Sequence, residues 1–96
     1  MNSTIRYFYE KAGVNPFLID EKLDKLKKHS DIEAEFEYWL QNKQYKNDVS
    51  VEGYTASELA NMSHYLKGEG VFMLLIELRE NPEKAKQKIR NGFKIK

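Results

Sequence analysis

The stretch VFMLLIEL, residues 71–78, decides the fold of this 96-residue chain. Seven of its eight side chains are apolar, so a helix built on it, over about 69–80, is apolar around almost its whole circumference. A helix of that kind lies in the middle of a hydrophobic core. The stretch is far shorter than the roughly twenty apolar residues that cross a bilayer, so we expect no membrane span and no membrane partner.

Five further segments carry the apolar spacing of amphipathic helices, with side chains three and four positions apart. The stripes are Ile5, Phe8, Tyr9 and Ala12; Phe17, Ile19, Leu23 and Leu26; Ile32, Phe36, Trp39 and Leu40; Leu59, Met62 and Leu66; and Ala85 and Ile89. We therefore predict a mainly α protein, a compact bundle of five to six short helices around the central one. The whole chain, 1–96, forms a single helical domain in this interpretation.

Capping residues mark where these helices begin. The candidate caps are Ser3, Asn15, Ser30, Thr55 and Asn81. A proline follows both Asn15 and Asn81, and proline is well tolerated in the first helical turn because its missing N–H has no partner there. Thr55 and Glu58 have the spacing of a capping box, in which each side chain binds the other residue's free backbone N–H.

The least helical part of the chain is 44–54, where Val49 and Val51 alternate with polar residues. The same alternation occurs at 93–95. We predict that 49–51 and 93–95 pair as a minimal two-stranded β-ribbon, which needs packing against helices to be stable.

The composition excludes several classes of function. The chain has no cysteine, so it has neither a disulfide framework nor thiolate chemistry. Its two histidines, His29 and His64, do not have metal-ligand spacing, and the residues around them do not amount to a catalytic triad. We expect a non-catalytic protein with no metal and no cofactor. The N-terminus lacks the pattern of a signal peptide, which predicts a cytoplasmic location.

Charge is balanced over the whole chain but not along it. Sixteen basic and fifteen acidic residues give a net charge of +1, which provides no general attraction to nucleic acid. Residues 81–96 nonetheless carry six cations against one acid, Glu83. The candidate nucleic-acid contacts are Lys84, Lys86, Lys88, Arg90, Lys94 and Lys96. They would either bind phosphates, with strong salt dependence, or form a solvated helix whose cations favour its C-terminal end.

Five other residues are candidate contacts for a protein partner. Asp31 and Glu35 share one face of the third predicted helix, which carries four alternating acids. That acidic stretch is interpreted either as a solvated outer face or as a patch for a basic partner. Tyr7, Tyr38 and Tyr45 fall off the apolar stripes, and exposed tyrosines are enriched at protein interfaces.

Four segments of the C-terminal half carry a family resemblance. They are VEGYTA at 51–56, the apolar run at 74–78, LRENPEKA at 78–85 and IRNGFK at 89–94. These segments resemble short uncharacterised proteins carried by bacteriophages and conjugative elements of Gram-positive bacteria. The resemblance brings no catalytic residues. It implies a mobile-element context, in which accessory proteins often bind and inhibit or modulate a host protein, anti-CRISPR proteins being one example.

The sequence therefore predicts a non-catalytic protein-binding module, with an anti-CRISPR-like role as inhibitor or modulator of a host protein. The alternative is a nucleic-acid-binding accessory protein that uses the basic C-terminal segment. A homodimer is a further alternative, because the apolar surface of 71–78 would serve equally well as half of a dimer core.

Overall fold

The computed structural model describes residues 3–62, 66 and 68–92. Within these ranges the chain forms six helices and one two-stranded sheet, so the protein is mainly α as predicted. The elements are α1 (Ser3–Lys11), α2 (Pro16–Lys28), α3 (Ser30–Asn42), β1 (Ser50–Val51), β2 (Tyr54–Thr55), α4 (Ala56–Met62), α5 (Glu69–Glu80) and α6 (Pro82–Arg90). No helix in the described ranges is long and apolar enough to cross a membrane.

Helix α5 is the central element of the core, which confirms the interpretation of the 71–78 stretch. Its buried side chains are Val71, Phe72, Leu74, Leu75, Ile76 and Leu78. Helices α3, α4 and α6 and strand β1 all pack against α5. These side chains are covered within one chain.

A chain of aromatic rings joins the N-terminal helices to α5. The Phe36 ring meets the Phe8 ring edge to face, with 5.8 Å between centroids. On its other side, Phe36 lies 5.0 Å from Phe72. Such tilted and edge-to-face contacts are favourable beyond the area they bury, because a ring's positive edge faces its neighbour's negative face. The aromatic residues therefore hold α1, α3 and α5 together.

Two of the predicted helix starts have the expected cap geometry. The Asn15 side-chain oxygen accepts a hydrogen bond from the Phe17 backbone N–H at 2.9 Å. Thr55 and Glu58 form the capping box, since each side chain accepts from the other residue's N–H at 3.0 Å.

Two other predicted caps are wrong in detail. Ser30 is the first residue of α3, whose N-cap is His29, and no side chain caps that helix. Asn81 does precede α6, but its side chain makes no cap hydrogen bond. His29 is both the C-cap of α2 and the N-cap of α3, and Asn81 is both the C-cap of α5 and the N-cap of α6. The backbone conformation of each residue therefore has to suit the end of one helix as well as the start of the next.

A two-stranded ribbon is present, but its described second strand is 54–55, so it is a hairpin. β1 pairs antiparallel with β2, with Ser50 opposite Thr55 and Val51 opposite Tyr54. The two turn residues, Glu52 and Gly53, both have positive φ, at 54° and 84°, as the common two-residue hairpin turn requires. The predicted partner, 93–95, lies outside the described residues.

Candidate docking surface

Helix α2 has one buried side and one side that faces solvent. Ile19, Leu23 and Leu26 are buried and stand at i, i+4 and i+7, which defines the core side. Since each helical residue turns the chain by about 100°, Phe17 lies roughly 200° from Ile19, on the opposite side. The Phe17 side chain is 84% exposed and Leu18 is 49% exposed. The expectation that Phe17 belongs to the apolar stripe is therefore wrong.

The backbone that carries Phe17 and Leu18 is held in place by the helix cap. Besides the side-chain bond to Phe17, the Asn15 carbonyl accepts from the Leu18 N–H at 2.8 Å and from the Ile19 N–H at 3.0 Å. Pro16 fixes φ at the first helical position. The two exposed apolar side chains thus project from a rigid turn, so a partner would lose little free energy in ordering them.

Acidic side chains continue this exposed side along α2. Glu21 and Asp24 are exposed and follow Phe17 at i+4 and i+7. Neither makes an ion pair with another described residue. Asp20 differs, because Arg6 of α1 binds it at 2.8 Å. We call the group Phe17, Leu18, Glu21 and Asp24 the docking surface.

The three predicted tyrosines lie in different environments. Tyr7 on α1 is 60% exposed. Tyr38 is half-buried, and its hydroxyl accepts a hydrogen bond from the Gln44 side chain at 3.3 Å. Tyr45 is half-buried with its ring 6.0 Å from that of Phe72, and burial raises the pKa of its hydroxyl. Tyr7 is therefore the one with most of its surface open to a partner.

Asp31 is engaged by an arginine of α5. Arg79 donates to both carboxylate oxygens of Asp31, at 2.9 and 2.8 Å, and lowers the pKa of that carboxyl to about 2. Beside this pair, His29 Nε2 lies 2.9 Å from the Glu80 carboxylate, and the hydrogen bond lowers the pKa of Glu80. This cluster ties the α2–α3 junction to the C-terminal end of α5.

Glu35 is interior, which corrects its interpretation as a surface contact. Its side chain is 1% exposed. Its carboxylate accepts the Asn47 N–H at 3.0 Å and the Asp48 N–H at 3.3 Å. Asp48 in turn accepts from the Ser57 N–H at 2.9 Å, at the start of α4. Because the loop after α3 folds back over this carboxylate, Glu35 organises that loop and is not available to a partner.

The cations of α6 are divided between internal ion pairs and solvent. Lys86 binds Glu52 at 3.0 Å and Lys88 binds Glu77 at 2.9 Å. Lys84 and Arg90 are exposed and form no ion pair within the described ranges. Lys94 and Lys96 lie outside the described residues. Half of the four described cations therefore already neutralise acids of the same chain.

A groove of about 580 Å³ lies where α2, α5 and α6 meet. It is lined by Lys25, Leu66, Gly70, Met73, Leu74, Ile76, Glu77, Glu80, Asn81 and Lys88. Its lining includes four apolar side chains, two lysines and two glutamates, and the formal charges of the last four cancel. The described residues contain no group of three or more histidine, aspartate or glutamate side chains placed to hold a metal ion.

Comparison with known proteins finds no relative. No family model matches the chain. No curated protein and no solved structure matches it either.

The docking surface is the feature that sequence reasoning missed, although the spacing contains the signal. Three aliphatic residues of α2 share one face, and Phe17 lies roughly 120° to 180° around the helix from each of them. A helical projection of α2 alone would have placed Phe17 outside the core.

Proposed function

We propose that this protein is a non-catalytic module that binds another protein through the docking surface. The observation that carries the proposal is the 84% exposure of Phe17 on a capped, rigid helical turn, next to the half-exposed Leu18. Single exposed apolar residues are common on protein surfaces. Two exposed apolar side chains in the first turn of one helix offer an anchor, because burying one such side chain contributes about 1.5–3 kcal/mol.

The chemistry of the surface is typical of interface anchors. Aromatic side chains dominate the binding energy of protein interfaces, since they bury large areas while losing few rotatable bonds. Phe17 is not part of the hydrophobic core. The packing of the fold therefore does not explain why this position holds an apolar residue. Tyr7, with 60% exposure, supplies a second aromatic surface on the neighbouring helix α1.

The partner in this proposal is a host protein that the module inhibits or modulates in the cytoplasm. This part rests on the resemblance of the C-terminal half to proteins of mobile elements. A small module could inhibit such a host protein by covering part of its surface.

A pulldown with matched baits tests the proposal. The baits are the wild type, the double variant Phe17→Ala and Leu18→Ala, and Met62→Ala as control. Met62 on α4 is exposed to the same 49% as Leu18, so its truncation controls for the loss of one exposed apolar side chain away from α2. We expect the wild type and the Met62 variant to capture one protein that the double variant does not. Capture of the same proteins by all three baits would contradict the docking surface.

Nucleic-acid binding through α6 is the second candidate, and the free cations Lys84 and Arg90 are the observation that favours it. It predicts binding of a labelled DNA duplex that weakens about tenfold between 50 and 200 mM salt, as two phosphate contacts would produce. The double variant Lys84→Ala and Arg90→Ala would lose that dependence. Fluorescence anisotropy that shows no binding at 50 mM salt removes this candidate.

A further inference from the structure

We propose that Asn91 is a modification site, at which the folded protein spontaneously loses the side-chain amide. The inference goes beyond the proposed function and does not rest on the docking surface. It follows from the pair Asn91 and Gly92 at the end of α6. In this pair the backbone nitrogen of the glycine is the nucleophile, and no Cβ stands next to that nitrogen to hinder its approach to the asparagine side chain.

The reaction needs only this pair and water. The Gly92 nitrogen bonds to Cγ of Asn91, and the proton it gives up leaves with the side-chain nitrogen as ammonia. The product is a succinimide ring, in which the Gly92 nitrogen is bonded to both carbonyl carbons of Asn91. Water then opens one of these two bonds. Opening at Cγ leaves aspartate, and opening at the main-chain carbonyl leaves isoaspartate, so both products carry a new carboxylate.

The end of α6 leaves this pair exposed and lightly held. Asn91 is the C-cap residue, and both members of the pair are exposed. Asn91 has a ψ of 4°, so the backbone must rotate before Cβ and the Gly92 nitrogen come to the same side of the ring. That rotation releases the hydrogen bond from the Gly92 N–H to the Ile89 carbonyl, 3.0 Å long. Because helix ends fray with an opening free energy of about zero, this requirement slows the reaction little.

The remaining asparagines of the described ranges are in less reactive settings. They are Asn15, Asn42, Asn47, Asn61 and Asn81. Two of them precede a proline, whose nitrogen carries no hydrogen to give up. The other three precede residues whose side chains hinder attack. After Asn47, moreover, the Asp48 N–H is held by the buried Glu35 carboxylate at 3.3 Å. Asn91 is therefore the described asparagine with the most reactive neighbour.

The modification changes the charge of the C-terminal segment. Each conversion adds one negative charge, so the net charge of the chain falls from +1 to 0. The new carboxylate follows Lys88 and Arg90, at the end of α6 where the helix dipole disfavours an anion. Deamidation therefore lowers the positive charge of the same segment that nucleic-acid binding would use, and it does so progressively as the molecule ages.

Incubation of the full chain in neutral buffer at physiological temperature tests the inference. Isoelectric focusing follows the charge, and mass spectrometry of tryptic fragments locates the change. We expect an acidic form to accumulate, with the gain in mass confined to fragment 91–94. Asn91→Gln should lose the acidic form, because the longer side chain closes a larger ring more slowly. Asn61→Gln, at an exposed asparagine of α4, is the matched control and should form it at the wild-type rate.

Three results would overturn the inference. One is an acidic form that appears in the Asn91→Gln variant as fast as in the wild type. Another is a gain in mass that appears first at a different asparagine. The third uses a synthetic peptide of residues 88–95, which gives the rate of the same pair outside the fold. A full chain that keeps the Asn91 amide after this peptide has converted would show that the fold protects the site. Circular dichroism confirms that the helices of each variant are intact.

Discussion

Phe17 in α2 and Phe72 in α5 are the same residue type near the start of two helices, yet one is 84% exposed and the other fully buried. The residues one turn further along explain the difference. Phe72 is followed at i+3 and i+4 by Leu75 and Ile76, whereas Phe17 is followed by Asp20 and Glu21. Since those positions lie on the same helix face, Phe72 belongs to an apolar side and Phe17 to a charged one. The fate of an apolar residue is decided by its helical neighbours.

The comparison separates two roles within one small protein. The packing of α3, α4 and α6 around α5 provides stability, and the outward side of α2 is the surface proposed for recognition. Substitutions in the core around α5 should therefore reduce the folding free energy. Substitutions on the outward side of α2 should instead reduce partner binding.

The largest expected effect comes from truncating the two phenylalanines. Phe72→Ala should reduce the free energy of unfolding by about 3–5 kcal/mol, because it removes a buried ring and leaves a cavity. Phe17→Ala should change it by about 0.5 kcal/mol or less, as for most surface positions. Urea denaturation followed by circular dichroism measures both. Phe72→Leu is the milder companion if the alanine variant does not fold. Equal losses from Phe17→Ala and Phe72→Ala would contradict the exposure of the Phe17 side chain.

The next effect concerns the buried carboxylate of α3. Glu35→Ala should destabilise the protein by about 1.5–3 kcal/mol, since it removes the charged acceptor of the N–H groups of Asn47 and Asp48. Glu33→Ala, on the same helix, is the control, with an expected change of about 0.5 kcal/mol or less. Hydrogen exchange should show faster exchange at the Asn47 and Asp48 amides in the Glu35 variant. Unchanged protection there would contradict the role of Glu35.

A smaller loss is expected where Gly68 packs against α3. A Cβ atom at Gly68 would lie 2.9 Å from the Trp39 ring, and the residue has a φ of 57°. We expect Gly68→Ala to destabilise by about 2 kcal/mol, from the clash and the backbone strain together. Gly13 also has a positive φ, of 80°, but has open space around the position of an added Cβ. The loss of folding free energy in Gly13→Ala, about 1 kcal/mol, therefore measures the backbone strain alone. Equal losses in thermal unfolding would exclude the contact with Trp39.

The smallest effect is the pH dependence of the exposed pair between Asp31 and Arg79. The folded-state pKa of Asp31, about 2, lies below its usual 3.8, so the unfolded chain binds the proton more readily. The pair's stabilisation is thus present above about pH 5 and is lost as the pH falls toward 2. Because the Asp31 side chain is 52% exposed, solvent screening limits the contribution to about 0.5–1 kcal/mol. In urea denaturation between pH 5 and 2, Asp31→Asn should lack this part of the decline. An identical decline in variant and wild type would contradict the assignment.

Much of the fold was predictable from the chain alone. The central position of α5, the cap at Asn15 and the box formed by Thr55 and Glu58 all follow from interactions within about four residues. The candidate site was less predictable. Tyr7 is largely exposed as expected, but Glu35 is interior and Asp31 is bound to Arg79, 48 residues away. The pairing of Asp31 depends on contacts between distant segments, which local spacing does not contain.

By itself, the sequence determined which segments are helical, where they begin, and that the segment at 71–78 is the centre of the core. Those properties depend on apolar spacing and local hydrogen bonds, which act over one or two turns. The tertiary structure was needed to show which polar residues are interior or paired. Burial of Glu35 depends on the loop after α3 folding over it, and the ion pair of Asp31 depends on Arg79 of α5. Both are consequences of how distant segments pack.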